Sequence, residues 1–203
     1  ALHKARGDTT ELARLKRNFW PKARQPDQVY ITSLFTYAWR SVHEAVRLCR
    51  MWFPKAKIVV GGIYATLMPD HAATSGADEV VTGIVEAAED LLPDYSLVPD
   101  WDTSIMFSHR GCIRKCPFCA VPVMEPQMVA KRSIRHLVHP GHKRVVLWDN
   151  NILGSPTWRD IVAELKDMAL AVDFNQGLDA RLITEDVAQQ LRGLRLKPIR
   201  MSY

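Results

Sequence analysis

Three of the four cysteines in this 203-residue chain fall close together, in the run Cys112-Ile113-Arg114-Lys115-Cys116-Pro117-Phe118-Cys119. Three thiolates at this C-x3-C-x2-C spacing can converge on one inorganic centre, and thiolates suit iron–sulfur clusters and zinc. A four-iron cluster held by three cysteines keeps one iron without a protein ligand, and that iron can take a substrate or a cofactor. A structural zinc site wants four protein ligands, commonly as paired C-x2-C elements. His109 could complete such a site, but no second C-x2-C knuckle accompanies it. An iron–sulfur cluster is therefore the expectation, with zinc as the alternative. The fourth cysteine, Cys49, sits alone in a helical pattern and reads as a core thiol. A secreted disulfide framework would spread its cysteines along the chain, so this grouping points to metal chemistry in a reducing compartment.

The segment Ser108-His109-Arg110-Gly111-Cys112 followed by Cys116-Pro117-Phe118-Cys119 resembles the cluster loop of radical S-adenosylmethionine (radical SAM) enzymes. The aromatic residue before the third cysteine belongs to that pattern, and Phe118 matches it. So does the position of the run, directly after the first strand of a βα series. The resemblance is specific over residues 104–119. It implies that Cys112, Cys116 and Cys119 bind a 4Fe–4S cluster whose open iron chelates the amino and carboxylate groups of S-adenosylmethionine. One-electron reduction, by a donor such as flavodoxin or ferredoxin, would cleave the sulfonium to methionine and a 5′-deoxyadenosyl radical. The radical would then take a hydrogen atom from a substrate that the sequence does not name. In the family the next strand ends in a small polar motif that holds the methionine amino group. Strand 144–148 here ends in Asp149-Asn150-Asn151 rather than the commoner Gly-Gly-Glu. A carboxylate at Asp149 can accept from an ammonium; an Asx turn or helix cap is the other reading. Past the third strand, Gln176, Asp179 and Arg181 stand by position to face the cofactor's carboxylate or ribose, with Arg181 best suited to a carboxylate. A solvated loop with a surface ion pair explains them equally well.

Around these residues the chain alternates β-branched runs with amphipathic stretches, as expected of an α/β protein with parallel sheets. Ala1–Arg6 reads as the tail of a helix, Thr9–Leu15 as a weak strand and Asn18–Gln28 as loop. Val29–Phe35 reads as a buried strand, Ser41–Trp52 as a helix facing inward with Val42, Ala45, Val46, Cys49 and Trp52, and Lys57–Val60 as a strand closed by Gly61-Gly62. Short helices are expected over Asp70–Ser75 and Val85–Leu92, with a strand over Asp78–Gly83 between them. Strands then follow over 103–108, 144–148 and 171–175, helices over 158–170 and 184–192, and a last strand from Lys197. Thr184 is the N-cap of the second of these helices. Domains are expected over 1–95 and 103–203, joined by a proline- and aspartate-rich linker over 96–102.

The first of these resembles the later half of a cobalamin-binding-type Rossmann domain, which precedes the barrel in one large radical SAM class. Gly61-Gly62 with Ala65-Thr66 and Pro69, then Val80-Val81-Thr82-Gly83, carry the likeness. Gly61-Gly62 is also ordinary turn chemistry. No D-x-H-x-x-G stretch offers a histidine to cobalt, so cobalamin is an expectation of the resemblance alone. The second resembles the first half of a (βα) TIM-type barrel; with about 250 residues needed for eight units, both domains are expected to be incomplete. The domain pairing suggests a cobalamin-dependent methylation or a radical rearrangement.

The composition is 47% apolar and 24% charged with a net charge of +5. It excludes a disordered chain, and no apolar stretch nears the roughly 20 residues of a membrane span. Without a signal-peptide pattern the expected address is cytoplasmic. A basic run, Lys131, Arg132, Arg135, His136, His139, His142, Lys143 and Arg144, reads as a solvated loop or as a phosphate contact for nucleic acid. Two rivals follow from it. One is a methylthiotransferase-like RNA-modifying radical SAM enzyme, disfavoured because only Cys49 remains for its second cysteine triad. The other is a zinc-stabilised nucleic-acid-binding module.

Overall fold

The computed structural model describes residues 1–13 and 25–202. The expected loop over 18–28 lies largely outside them, as do residues 14 and 15 of the weak strand; residues 9–13 have no regular structure. The chain forms two compact units, Glu11–Val85 and Ala1–Thr10 with Glu86–Tyr203. The division thus falls at residues 85 and 86, ahead of the expected linker. Segment 96–102 is bound into the second unit: the Lys143 amide donates to the Asp102 carbonyl (3.1 Å), and Trp101 Nε1 donates to the Thr103 carbonyl (2.6 Å). The short helix α1 (Leu2–Ala5) is held to the same unit by Lys4, which reaches Asp94 at 2.8 Å.

In unit Glu11–Val85, β1 (Gln28–Ser33) is followed by α2 (Trp39–Trp52), β2 (Lys57–Gly62), α3 (Ile63–Leu67), α4 (Pro69–Ala73) and β3 (Glu79–Val80). The strands form a parallel sheet in the order β1-β2-β3. β2 is the buried strand, with Ile58 and Val60 fully enclosed, and α2 covers it with Val42, Ala45, Val46 and Cys49. β1 is not the buried strand its composition suggests. Its exposure alternates, leaving Tyr30 on the outside, as a sheet edge with one covered face requires. It also stops at Ser33, because the Ser33 hydroxyl donates to the Phe35 carbonyl and accepts from the Phe35 amide, turning the chain.

The second unit carries β4 (Thr103–Met106), β5 (His109–Arg110), α5 (Val121–Met124), β6 (Val129–Ala130), β7 (Arg144–Leu147), α6 (Trp158–Asp167), β8 (Ala171–Phe174), β9 (Leu178–Asp179), α7 (Glu185–Leu191), β10 (Arg195–Leu196) and β11 (Met201–Ser202). Its sheet is parallel in the order β10-β8-β7-β4. Val145, Leu147, Val172 and Phe174 pack under Trp158, Ile161, Val162 and Leu165 of α6, and Val187 and Leu191 of α7 extend that core. Thr184 caps α7, accepting from the Val187 amide. Among the described residues no helix is long and apolar enough to cross a membrane.

Further expected elements come out differently, and the strand expected over 78–83 pairs only at Glu79–Val80. Helix 85–92 shrinks to a single 3-10 turn, Glu86–Ala88. Lys131 takes the Glu89 carbonyl (3.0 Å) and the Asp90 carboxylate, while Arg110 takes the Glu89 side chain, so tertiary partners claim groups a helix would use. The expected last strand begins earlier and breaks in two. β10 pairs with β8, Pro198 offers no amide to continue the ladder, and β11 pairs with β9 instead.

Two positions with positive φ predict changes of opposite sign. Gly62 has φ +89°, and a β-carbon there would lie 2.5 Å from Thr32 Oγ1 and 2.7 Å from the Ser33 carbonyl. Gly62→Ala should cost about 2–4 kcal/mol through strain and overlap. Ala169, just past α6, has φ 51° and lies exposed. Ala169→Gly should stabilise by about 0.5–1 kcal/mol, because glycine accepts this conformation without a side-chain clash. Urea unfolding midpoints of the two variants check both signs.

Candidate functional site

Because β4, β7 and β8 are parallel neighbours, the chain leaves all three at one edge of the sheet. Ligands of open parallel sheets bind at this carboxyl edge. The cysteine run follows β4, Asp149-Asn150-Asn151 follows β7, and Gln176–Arg181 follows β8. The topology therefore gathers the cysteine run and both proposed cofactor-binding segments at one edge.

Asp149 is enclosed rather than open. Its carboxylate accepts from the Ser108 amide (2.7 Å), the Ser108 hydroxyl (2.7 Å) and the His109 amide (3.1 Å). It is thus the clamp that holds the start of the cysteine segment against the end of β7. His109 is wholly buried beside it, with Nδ1 3.5 Å from Asp149 Oδ1, and neither ring nitrogen has a hydrogen-bond partner. Burial pushes the Asp149 carboxyl up and the His109 imidazole down, so both are driven toward their neutral forms.

From His109 the chain enters an excursion closed at its base by the antiparallel pairing of β5 with β6. Gly111 sits there at φ +82°, where a β-carbon would lie 2.4 Å from the Gln127 carbonyl. Glu125 secures the excursion from inside, accepting from the Gly111 amide (2.7 Å), Arg110 (3.0 Å) and Asn150 Nδ2 (2.9 Å). Asn150 is therefore engaged by Glu125. Arg110 also makes a two-point pair with Glu89 and lies over the Phe107 ring. Ile113 packs on the turn at residues 152–154, so close that a β-carbon on Gly154 would lie 2.9 Å from Ile113 Cγ1.

Cys112, Cys116 and Cys119 are all free thiols of intermediate exposure. Cys112 Sγ accepts from the Arg114 amide at 3.3 Å, and the Cys119 amide bonds the Cys116 carbonyl at 3.0 Å. Among the described residues no three His, Cys, Asp or Glu side chains stand close enough to hold a metal ion. As a donor set the residues suit a thiolate-held cluster: three unpaired sulfurs on one loop, with a backbone amide already directed at one of them. Phe118 is 89% exposed, at the tip of the run.

Asp179 gathers the other half of the edge. It is 2% exposed and accepts from Arg181 Nε (2.8 Å), Arg114 Nε (3.0 Å) and Asn151 Nδ2 (3.1 Å). The Arg181 guanidinium, foremost, holds its carboxyl well below the usual carboxylate range. Arg181 is directed to this carboxylate and Gln176 is exposed to solvent. Sequence reasoning does not single out Arg114 or Glu125. A cation inside the cysteine run was the one available signal for Arg114, and nothing in the sequence marks Glu125.

The basic run is partly neutralised. Lys131 pairs with Asp90, and Arg135 pairs with Asp167 and approaches Glu164 at 3.8 Å. His142 is buried and bonded to the Ser104 hydroxyl, near the opposite edge. In the other unit the buried Tyr64 hydroxyl bridges His43 Nε2 (3.0 Å) and His71 Nδ1 (2.7 Å).

The burial of His109 sets a pH dependence. A histidine whose folded pKa lies below its unfolded value of about 6.5 binds more protons when unfolded, so its contribution to stability falls as pH drops below about 6.5, with a limiting slope of about 1.4 kcal/mol per pH unit. The raised Asp149 carboxyl contributes with the opposite sign. His109→Leu removes the histidine contribution alone, so on acidification the variant should lose less stability than the parent, or gain some, as read from urea midpoints between pH 8 and 5. Parallel profiles would refute it. No family model, no curated protein and no solved structure matches the chain.

Proposed function

We propose that this chain is a radical SAM enzyme, with the cluster held by Cys112, Cys116 and Cys119. The observation that carries the reading is the C-x3-C-x2-C run of free, half-buried cysteines on the segment that leaves β4 at the carboxyl edge of a parallel sheet. The strand order β4-β7-β8-β10 supports the finer reading that residues 103–203 are the opening strands of a (βα) barrel. When bound, the cluster would supply the electron that cleaves S-adenosylmethionine to methionine and a 5′-deoxyadenosyl radical.

The protein's own part is placement and shielding. Asp149 fixes the start of the loop through Ser108 and His109, and Glu125 fixes Gly111, one residue before the first cysteine. Arg114 ties the middle of the run to Asp179. The Arg114 amide donates to Cys112 Sγ at 3.3 Å and so orients the first sulfur of the run. Arg181 and Asn151 bring a cation and an amide to the same edge.

Anaerobic purification should yield iron and sulfide in about 4:4 ratio, and Cys116→Ala should lose both the cluster and 5′-deoxyadenosine formation under reducing conditions with S-adenosylmethionine. One tightly bound zinc without sulfide would overturn the reading in favour of the zinc module. Retained 5′-deoxyadenosine formation in the Cys116 variant would overturn the assigned role of that residue. Cobalt content decides the cobalamin expectation for the unit Glu11–Val85.

A further inference from the structure

At segment 95–102 the second unit has an open cavity of about 450 Å³, whose lining includes Tyr95, Trp101, His139, His142, Asp100 and Asp102. Its size falls within the roughly 300–1,000 Å³ of small-molecule sites. Successive residues of β4 hold its rings in place. The Trp101 indole donates to the Thr103 carbonyl (2.6 Å). The Ser104 hydroxyl accepts from the His139 amide (3.0 Å) and bonds His142 Nδ1 (2.9 Å). The Ile105 amide donates to the Tyr95 hydroxyl (2.8 Å). The Tyr95 ring stands edge-on to His142, at 71° and 4.4 Å between centroids, and to His139, at 75° and 5.8 Å. These rings make a corner and not a stack, and Trp101 keeps 47% of its surface open.

The charge of the cavity is negative. Asp100 and Asp102 line it, and no lysine or arginine does. Among the described residues no lysine or arginine pairs with either carboxylate, and Asp102 accepts from Thr103 Oγ1 (2.9 Å). Lys4 touches the lining residue Ser96 (2.6 Å), but Asp94 pairs with it at 2.8 Å. His142 is buried, and that burial, then the nearby His139, push its imidazole down, toward the neutral form. Ring faces and two unmatched carboxylates are left, on a chain whose net charge is +5. The chain as a whole repels cations, so a cation that binds here is held by the cavity itself.

We propose that this cavity binds a methylated ammonium ion, with the methyl groups against the rings of Tyr95 and Trp101 and the charge facing Asp100 and Asp102. The face of an aromatic ring attracts a cation, and tryptophan does so best. Four rings against two carboxylates favour a cation that presents methyl groups over one that presents N–H donors. The carboxylates add attraction and turn anions away. The cavity lies at the start of β4, whereas the cysteine run follows its end, so the site goes beyond the radical SAM reading and does not rest on it.

Choline is the probe. Titrated calorimetrically into the whole chain, it should bind saturably. Its neutral isostere 3,3-dimethylbutan-1-ol, with carbon in place of nitrogen, should bind about tenfold more weakly. Ethanolamine, which lacks the methyl groups, should also bind more weakly. Phosphocholine brings a phosphate toward the same carboxylates, so its weaker binding marks a free ammonium compound as the ligand and not a lipid headgroup. Trp101→Leu should weaken choline binding about tenfold, and Asp100→Asn severalfold. Circular dichroism and urea midpoints identify a Trp101 variant that fails to fold. Asp100→Asn then carries the test, because Asp100 is exposed and has no hydrogen bond among the described residues. Absence of saturable binding, equal affinity for the neutral isostere or for ethanolamine, or unchanged affinity in Asp100→Asn overturns the site. Phosphocholine binding as tightly as choline overturns it too, since the carboxylates would then play no part. None of these readouts uses a cluster, so iron and sulfide content can sink the radical SAM reading without touching this site, and the reverse holds for choline.

Discussion

The cysteine segment depends on a buried carboxylate finding enough donors. Asp149 ends a core strand at a place where water does not reach, so its charge must be met by protein groups or given up. The nearest donors are the amides and hydroxyl of Ser108 and His109, the residues that launch the excursion toward the cysteines. The interaction is local, yet it sets where the loop begins and in which direction it leaves the sheet. Asp179 repeats the arrangement from the next strand along, this time drawing on Arg114 from inside the loop. Removing a partner would strand a buried charge at Asp179 and leave a buried oxygen short of a donor at Asp149, and either costs more than the contact itself is worth.

Much of this arrangement could be read from the sequence, and the readable part has a common cause. β2 and β7 carry runs of β-branched residues, β8 is a short apolar run interrupted by Asp173, α2 and α6 repeat their apolar residues at helical spacing, and Thr184 announces the start of α7. These signals are local, because each is created by the segment itself. That the loops after β4, β7 and β8 share an edge also follows, since alternating strands and helices make a parallel sheet. The illegible part was decided by partners distant in the chain. The stretch after Val85 has helical composition, but Arg110 and Lys131 claim Glu89 and Asp90. Asp149 looked like a residue waiting for a ligand; its neighbours in space show it to be a structural clamp, a role no spacing could reveal. Glu125 is a lone acid in an irregular stretch, and only the folded chain brings Gly111, Arg110 and Asn150 to it.

The unit Glu11–Val85 shows the same economy on a smaller scale. Its buried Tyr64 hydroxyl has a single proton, and it stands between two imidazoles. At most one ring can accept that proton, so the other must present an N–H to the oxygen. The tautomers of His43 and His71 are therefore coupled through one oxygen atom, and α2 and α4 are joined by a chain of hydrogen bonds instead of by apolar contact alone. Burial, then the nearby His71, depress the His43 pKa, in keeping with a neutral arrangement.

The two-residue ladder between His109–Arg110 and Val129–Ala130 has a consequence for how such a chain can change over time. It brings the ends of the intervening stretch together, so that stretch begins and finishes at nearly the same point. Residues added or removed between the ladder's two strands would swell or shrink the stretch without shifting the pairing at its base. The cysteine-bearing loop and the scaffold can then diverge at different rates, the first by trading loop lengths and the second by conserving its register.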